Sequence, residues 1–166
     1  HTLRPPPKYV AIFQTPQLTL IPPEKPTAHT YELRILGVKT DGYSKAFVGV
    51  RDVAIVSGDQ RLPLELSAQR SFDLAQKDQA WLIARFTPPR DLDQVEVYLQ
   101  LDDGGGFETL LENGELDMRT APLQFTAKVP LLKLEGHAVV QIDLARSFVA
   151  DAPGRKLFVP SFTVNY

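Results

Sequence analysis

The chain contains no cysteine. That excludes disulfides, thiolate metal sites, haem attachment and a cysteine nucleophile within its 166 residues. It does not fix a compartment, because a domain of this size buries roughly 70% of its unfolded surface and folds without cross-links. An excess of one charge is missing too: 18 basic and 20 acidic residues leave a net charge of −2 and are interspersed along the chain. A clustered basic excess, the footprint of nucleic-acid binding, is thereby excluded. No apolar run approaches the roughly 20 residues that cross a bilayer. The longest are short, such as Val53-Ala54-Ile55-Val56. No signal peptide is visible, although a trimmed chain would show none. Amphipathic helical stripes are lacking as well, residues 67–79 and 143–149 having room for only a turn or a short helix. Without crossover helices a parallel α/β fold is disfavoured.

What the chain does have is proline and short alternating apolar segments. Pro5-Pro6-Pro7 favours an extended polyproline conformation, so residues 1–8 read as an arm or tether. Pro22, Pro23 and Pro26 read as a connection between strands. Period-two patterns mark strands at 9–13, 18–21, 31–35, 47–56, 61–66, 81–86, 95–101, 107–111, 123–127 and 137–144, with more at 157–159 and 162–164. Gly49 suggests a bend in the fourth, and Pro63 places the fifth at a sheet edge. Asn113-Gly114 reads as a hairpin turn, because both residues tolerate positive φ. Residues 9–166 are thus expected to form one all-β domain of roughly nine to eleven strands with little helix, a two-sheet antiparallel sandwich.

From about residue 31 to 166 the order of segments resembles a bacterial, lipoprotein-associated β-sandwich domain family of unknown function. Three places carry the resemblance: Val50-Arg51-Asp52-Val53-Ala54-Ile55; Phe72-Asp73-Leu74 leading to Val95-Glu96-Val97-Tyr98-Leu99; and the stretch from His137 through Ile142-Asp143-Leu144 to Ser147-Phe148-Val149, followed by Phe158-Val159-Pro160. The chain departs from the family where a second acidic residue often follows Asp143; here Ala145 stands. The resemblance implies an immunoglobulin- or transthyretin-like sandwich, extracytoplasmic in the bacterial periplasm or at the cell surface. A lipid anchor upstream would suit the proline-rich arm. It implies no activity and no catalytic residue.

Candidate sites are few. The histidines are His1, His29 and His137. If His1 is the mature N-terminus, its amine and imidazole can chelate copper, with His137 or His29 completing the site; otherwise no cofactor is expected. Asp102, Asp103, Glu108, Glu112, Glu115 and Asp117 surround Gly104-Gly105-Gly106, but without the alternating spacing of a calcium loop, and read as a solvated hairpin tip. The glycines precede neither a Lys-Ser/Thr pair nor a helix, so they form no phosphate cradle. Ser147, His137 and Asp143 spell a triad on paper, yet Ser147 lacks the nucleophile elbow. Trp81 lies in an apolar run and reads as core. Tyr43, beside Asp41-Gly42, and Tyr98, on the polar side of its strand, read as exposed positions for a ligand or partner.

The expectation is therefore a non-catalytic, extracytoplasmic accessory or interaction domain with a protein partner, a structural subunit of a surface or membrane-associated assembly. Two other readings stand beside it, a carbohydrate-binding module and a copper protein using His1.

Overall fold

The computed structural model describes residues 30–88 and 90–166. The expected arm at 1–8, the segments at 9–13 and 18–21, and His1 and His29 lie outside them. The fold is an all-β sandwich of two sheets, as the alternation implies. The strands are β1 (Tyr31–Val38), β2 (Tyr43–Ser57), β3 (Gln60–Arg61), β4 (Leu64–Leu66), β5 (Ser71–Asp73), β6 (Trp81–Phe86) and β7 (Gln94–Leu101). Then follow β8 (Gly104–Thr109), β9 (Asn113–Asp117), β10 (Leu123–Lys128), β11 (His137–Asp143), β12 (Phe148–Ala152), β13 (Arg155–Phe158) and β14 (Phe162–Asn165). The first sheet is ordered β14-β11-β1-β6-β4, and the second β10-β7-β2-β8-β9-β13-β12, with β3 and β5 also on β2.

The core follows from period two. Along β1, Tyr31, Leu33 and Ile35 point inward and are buried, while Glu32, Arg34, Leu36 and Val38 face outward. Val53 and Ile55, Val97 and Leu99, and Val140 and Ile142 are the matching inward residues of β2, β7 and β11.

Two expectations need correction. The sheets are mixed rather than antiparallel: β1 runs parallel to β11 from Glu32↔His137 to Val38↔Asp143, and β13 runs parallel to β9. Neither pair needs a crossover helix, because each joins strands distant in sequence. The described residues also hold more strands than expected: β5, β9 and β12 lie outside the expected segments, and 61–66 is split into β3 and β4. Val50 to Val56 of β2 oppose β7, and Tyr43 to Phe47 oppose β8. The other edge of β2 is taken by β3 and β5, so β7 and β8 run as one bent strand along it. On their far side β10 flanks β7 and β9 flanks β8. Asp102 N–H donates to Gly49 O (2.9 Å) and Met118 N–H to Asp103 O (2.8 Å), which carries the ladder through the bend.

Helix is scarce. α1 (Val129–Glu135) starts with Pro130 in its first turn and ends at Gly136, whose φ of 82° makes the left-handed cap while its N–H donates to Leu132 O (2.7 Å). That proline–glycine spacing was the available signal for it. α2 (Leu144–Ser147) is the single turn expected, capped by Asp143, which accepts from Arg146 N–H at 3.0 Å.

Candidate interaction surface

The β8–β9 hairpin is closed by Leu110 and Leu111, not by Asn113-Gly114, which lie within β9. Neither Asn113 nor Gly114 has a positive φ. Thr109 makes the turn: its N–H and its hydroxyl both donate to Glu112 O (2.7 and 3.1 Å), and its Oγ1 accepts from the N–H groups of Leu111 (3.2 Å) and Glu112 (3.1 Å). This supplies by side chain what Asn-Gly would supply by backbone conformation. Gly114 serves another purpose. Its missing side chain lets the β12–β13 turn approach until Glu115 N–H reaches Gly154 O at 2.9 Å. A methyl group there would overlap the Gly154 carbonyl.

The turn lifts both leucines into solvent, Leu110 97% and Leu111 93% exposed. Carboxylates flank them. Glu108 accepts from the Ser44 hydroxyl (2.8 Å), and Glu112 Oε2 accepts from Gly154 N–H (3.3 Å). Beneath the tip, Tyr43 packs edge-on against Phe148 (5.8 Å), and Phe148 against Phe158 (6.0 Å). The Lys156 ammonium lies 5.3 Å from the Phe107 ring centre and 5.9 Å from that of Tyr43. Burial, and then the Glu112 charge, raise the pKa of the Tyr43 hydroxyl. Tyr43 is half-buried and engaged in this cluster.

Asp102, Asp103 and Asp117 have structural partners. Arg51 lies 3.9 Å from Asp102 and 3.2 Å from Asp103. Asp117 holds Arg119 (2.6 Å) and Arg155 (2.9 Å). Hydrogen bonds from the Arg119 side chain and backbone outweigh its partial burial and, with both guanidinium charges, hold Asp117 well below the usual carboxylate range. Arg155 Nε lies 3.1 Å from Asp151 without the alignment of a hydrogen bond, a purely coulombic contact. Gly104, Gly105 and Gly106 are strand residues of β8, not a loop.

The remaining candidates scatter. Tyr98 is 1% exposed, contrary to its reading as a surface position. Its cross-strand neighbour Ala54 is small enough to leave room for the ring, and Gln124 Nε2 donates to its hydroxyl at 3.2 Å. Trp81 packs against Phe72 (5.9 Å) and donates to Asp73 O (3.1 Å), in keeping with a core role. His137 opens β11 opposite Glu32. Its Nδ1 is enclosed and has no hydrogen-bond partner among the described residues. Burial pushes the pKa of Glu32 up, but Arg34 (2.6 Å) and Arg85 (3.3 Å) outweigh it and leave it lowered. His137 and Asp143 are the two ends of β11, roughly 20 Å apart at strand spacing. Ser147 is buried and its hydroxyl is committed, donating to Ser161 O (3.1 Å) and accepting from Ser161 N–H (3.0 Å). No triad forms. Among the described residues no group of three or more His, Cys, Asp or Glu is placed to hold a metal. The copper reading therefore rests on His1.

At the opposite end of β2, Val56, Ser57 and Gly58 with Gln94, Val95 and Glu96 line a shallow, open notch of about 230 Å³. It is smaller than a typical ligand pocket. Residues 110–111 were missed in the sequence because an apolar pair after Phe107 reads as more strand. Thr109 and Glu112, three residues apart around them, were the signal. No family model, curated protein or solved structure matches the chain.

Proposed function

We propose that this domain is a non-catalytic interaction module, an accessory subunit that docks on a protein partner through the Leu110–Leu111 tip. The near-complete exposure of two leucines on a turn held by Thr109 carries the reading. Burying a leucine contributes roughly 1.5–3 kcal/mol, so the pair supplies about 3–6 kcal/mol to a complex. That is about 10²- to 10⁴-fold in affinity. Because Thr109 already fixes the turn, little ordering cost remains at docking. Glu108 and Glu112 beside the tip call for an apolar pocket with a basic rim on the partner, and they weigh against an anionic lipid surface. An extracytoplasmic setting, as the resemblance to lipoprotein-associated sandwich domains implies, belongs to the proposal. Carbohydrate binding is less well supported, because Tyr98 is buried and Tyr43 is engaged with Phe148 and Lys156.

The test is the double substitution Leu110→Ser and Leu111→Ser. Neither side chain supports the core, so Tm is expected to move by no more than about 2 °C. Retention of the partner from native extract is expected to fall at least about tenfold. Unchanged retention overturns the proposal. Co-sedimentation of the wild type with zwitterionic vesicles, lost in the double variant, would assign the tip to a lipid surface instead.

A further inference from the structure

Among the described residues four strands end the two sheet paths, besides the short β3 and β5 on β2, and three of the four are blunted against pairing. β4 has three residues and follows Pro63. β12 carries a bulge between Ala150 and Ala152, with Asp151 in it. β14 has four residues. Short strands, bulges, proline and charge are the usual protections of a sheet edge. β10 is longer and unbroken: it pairs with β7 over six residues without a register shift, with Pro122 before it and Lys128 at its end. From Thr120 to Ala127 the chain carries no charge.

The direction of its backbone groups follows from two hydrogen bonds. Val129 N–H donates to Asp93 O (2.9 Å), which continues the β7 ladder at odd-numbered positions. Lys128 N–H instead donates outward to the Tyr166 hydroxyl at 3.0 Å. Neighbouring residues of a strand aim their groups to opposite sides. Leu123, Phe125 and Ala127 therefore bond β7, while the N–H and C=O of Gln124 and Thr126 point away from the sheet. Gln124 and Thr126 are exposed, and Phe125 is half-buried on the core side.

We infer that β10 pairs with β10 of a second copy of this chain, antiparallel about a two-fold axis centred on Phe125. In that register Gln124 lies opposite the second copy's Thr126 and Thr126 opposite its Gln124. Each pair exchanges two hydrogen bonds, so all four free groups of each edge are satisfied. The pairing ends where the chemistry ends it. The next bonding position sets Lys128, whose N–H is already given to Tyr166, against Pro122, which has no N–H. At the axis the two Phe125 residues form the closely spaced pair, with Cα atoms about 4.5 Å apart, and their half-exposed rings cover one another. No like charges meet across the strands. The two seven-strand paths join into one continuous sheet. A short strand edge buries less than the standard interface, so the dimer is weak.

Sedimentation velocity of the full chain from about 1 µM to about 1 mM tests this, together with amide hydrogen exchange at both ends of that range. The expected result is a rise to twice the monomer mass, with new protection at the Gln124 and Thr126 amides. T126P removes an N–H that bonds nothing among the described residues and is tolerated at an edge; it is expected to stay monomeric throughout. A wild type that remains monomeric at every concentration overturns the inference. So does a dimer in which those two amides still exchange freely, or one that T126P leaves intact. The exchange experiment needs only the wild type, so the inference stays testable if T126P fails to fold.

Discussion

Two hairpins meet at one end of this sandwich and present opposite surfaces. The β12–β13 turn shows Pro153 and Gly154, flanked by Asp151 and Arg155. Its backbone is used by the fold, since Gly154 both accepts from Glu115 N–H and donates to Glu112. The β8–β9 turn shows two leucines, and the fold uses nothing of their side chains. Thr109 and Glu112 close that turn whatever stands between them. One tip is therefore explained by the interior of the molecule and the other is not. What Leu110 and Leu111 contribute lies outside the chain.

The comparison can be broken first at the joint between the hairpins. Gly114→Ala sets a methyl group against the Gly154 carbonyl, where backbone must move. Overpacking of this kind costs about 2–3 kcal/mol. The expected outcome is a Tm lowered by about 5–10 °C in calorimetry, with the β12–β13 hairpin the first to lose amide protection. A smaller effect sharpens the other side. Thr109→Val keeps shape but removes one donor and one doubly used acceptor, and is expected to cost about 1 kcal/mol in urea unfolding. The leucine tip then loses its fixed geometry, so partner affinity falls although no contact residue has changed. Least in size is the effect of Asp117, which ties β9 to β13 through Arg155. Its folded-state pKa is depressed, so its contribution is fully present above the unfolded value near 3.9 and is lost as pH falls through the folded value. Asp117→Asn should therefore be less stable than wild type at pH 7, by up to about 1 kcal/mol for so exposed an arginine pair. The two unfolding curves should converge as pH drops below about 4.

The sequence showed the inside of this molecule better than its ends. Alternation in residues 31–35 and 95–101 specified β1 and β7, and Pro63 marked an edge, because burial and the missing proline N–H act residue by residue. The bend at Gly49 was legible for the same reason. Parallel pairing of β1 with β11 was not, because no local pattern distinguishes a parallel neighbour from an antiparallel one. Strand β9 was missed because polar residues dominate it, and β12 because only Phe148 is buried, so burial leaves no alternation there to read. Tyr98 misled because alternation assigns a face but not what a small neighbour such as Ala54 permits there. The tip at Leu110 was hidden because its turn is made by one threonine hydroxyl, while the stronger turn signature, Asn113-Gly114, was used for close packing.

The parallel pair at the centre of the first sheet has a consequence for how the chain comes together. Glu32 meets His137, about a hundred residues away along the chain, and closing a loop that long is entropically slow. β6 can dock on β1 early, but the far side of β1 stays bare until β11 arrives. During synthesis at about 5–20 residues per second, that bare strand is exposed for several seconds. The alternating Glu32 and Arg34 on its outer face are then its main guard against pairing with a neighbouring nascent chain.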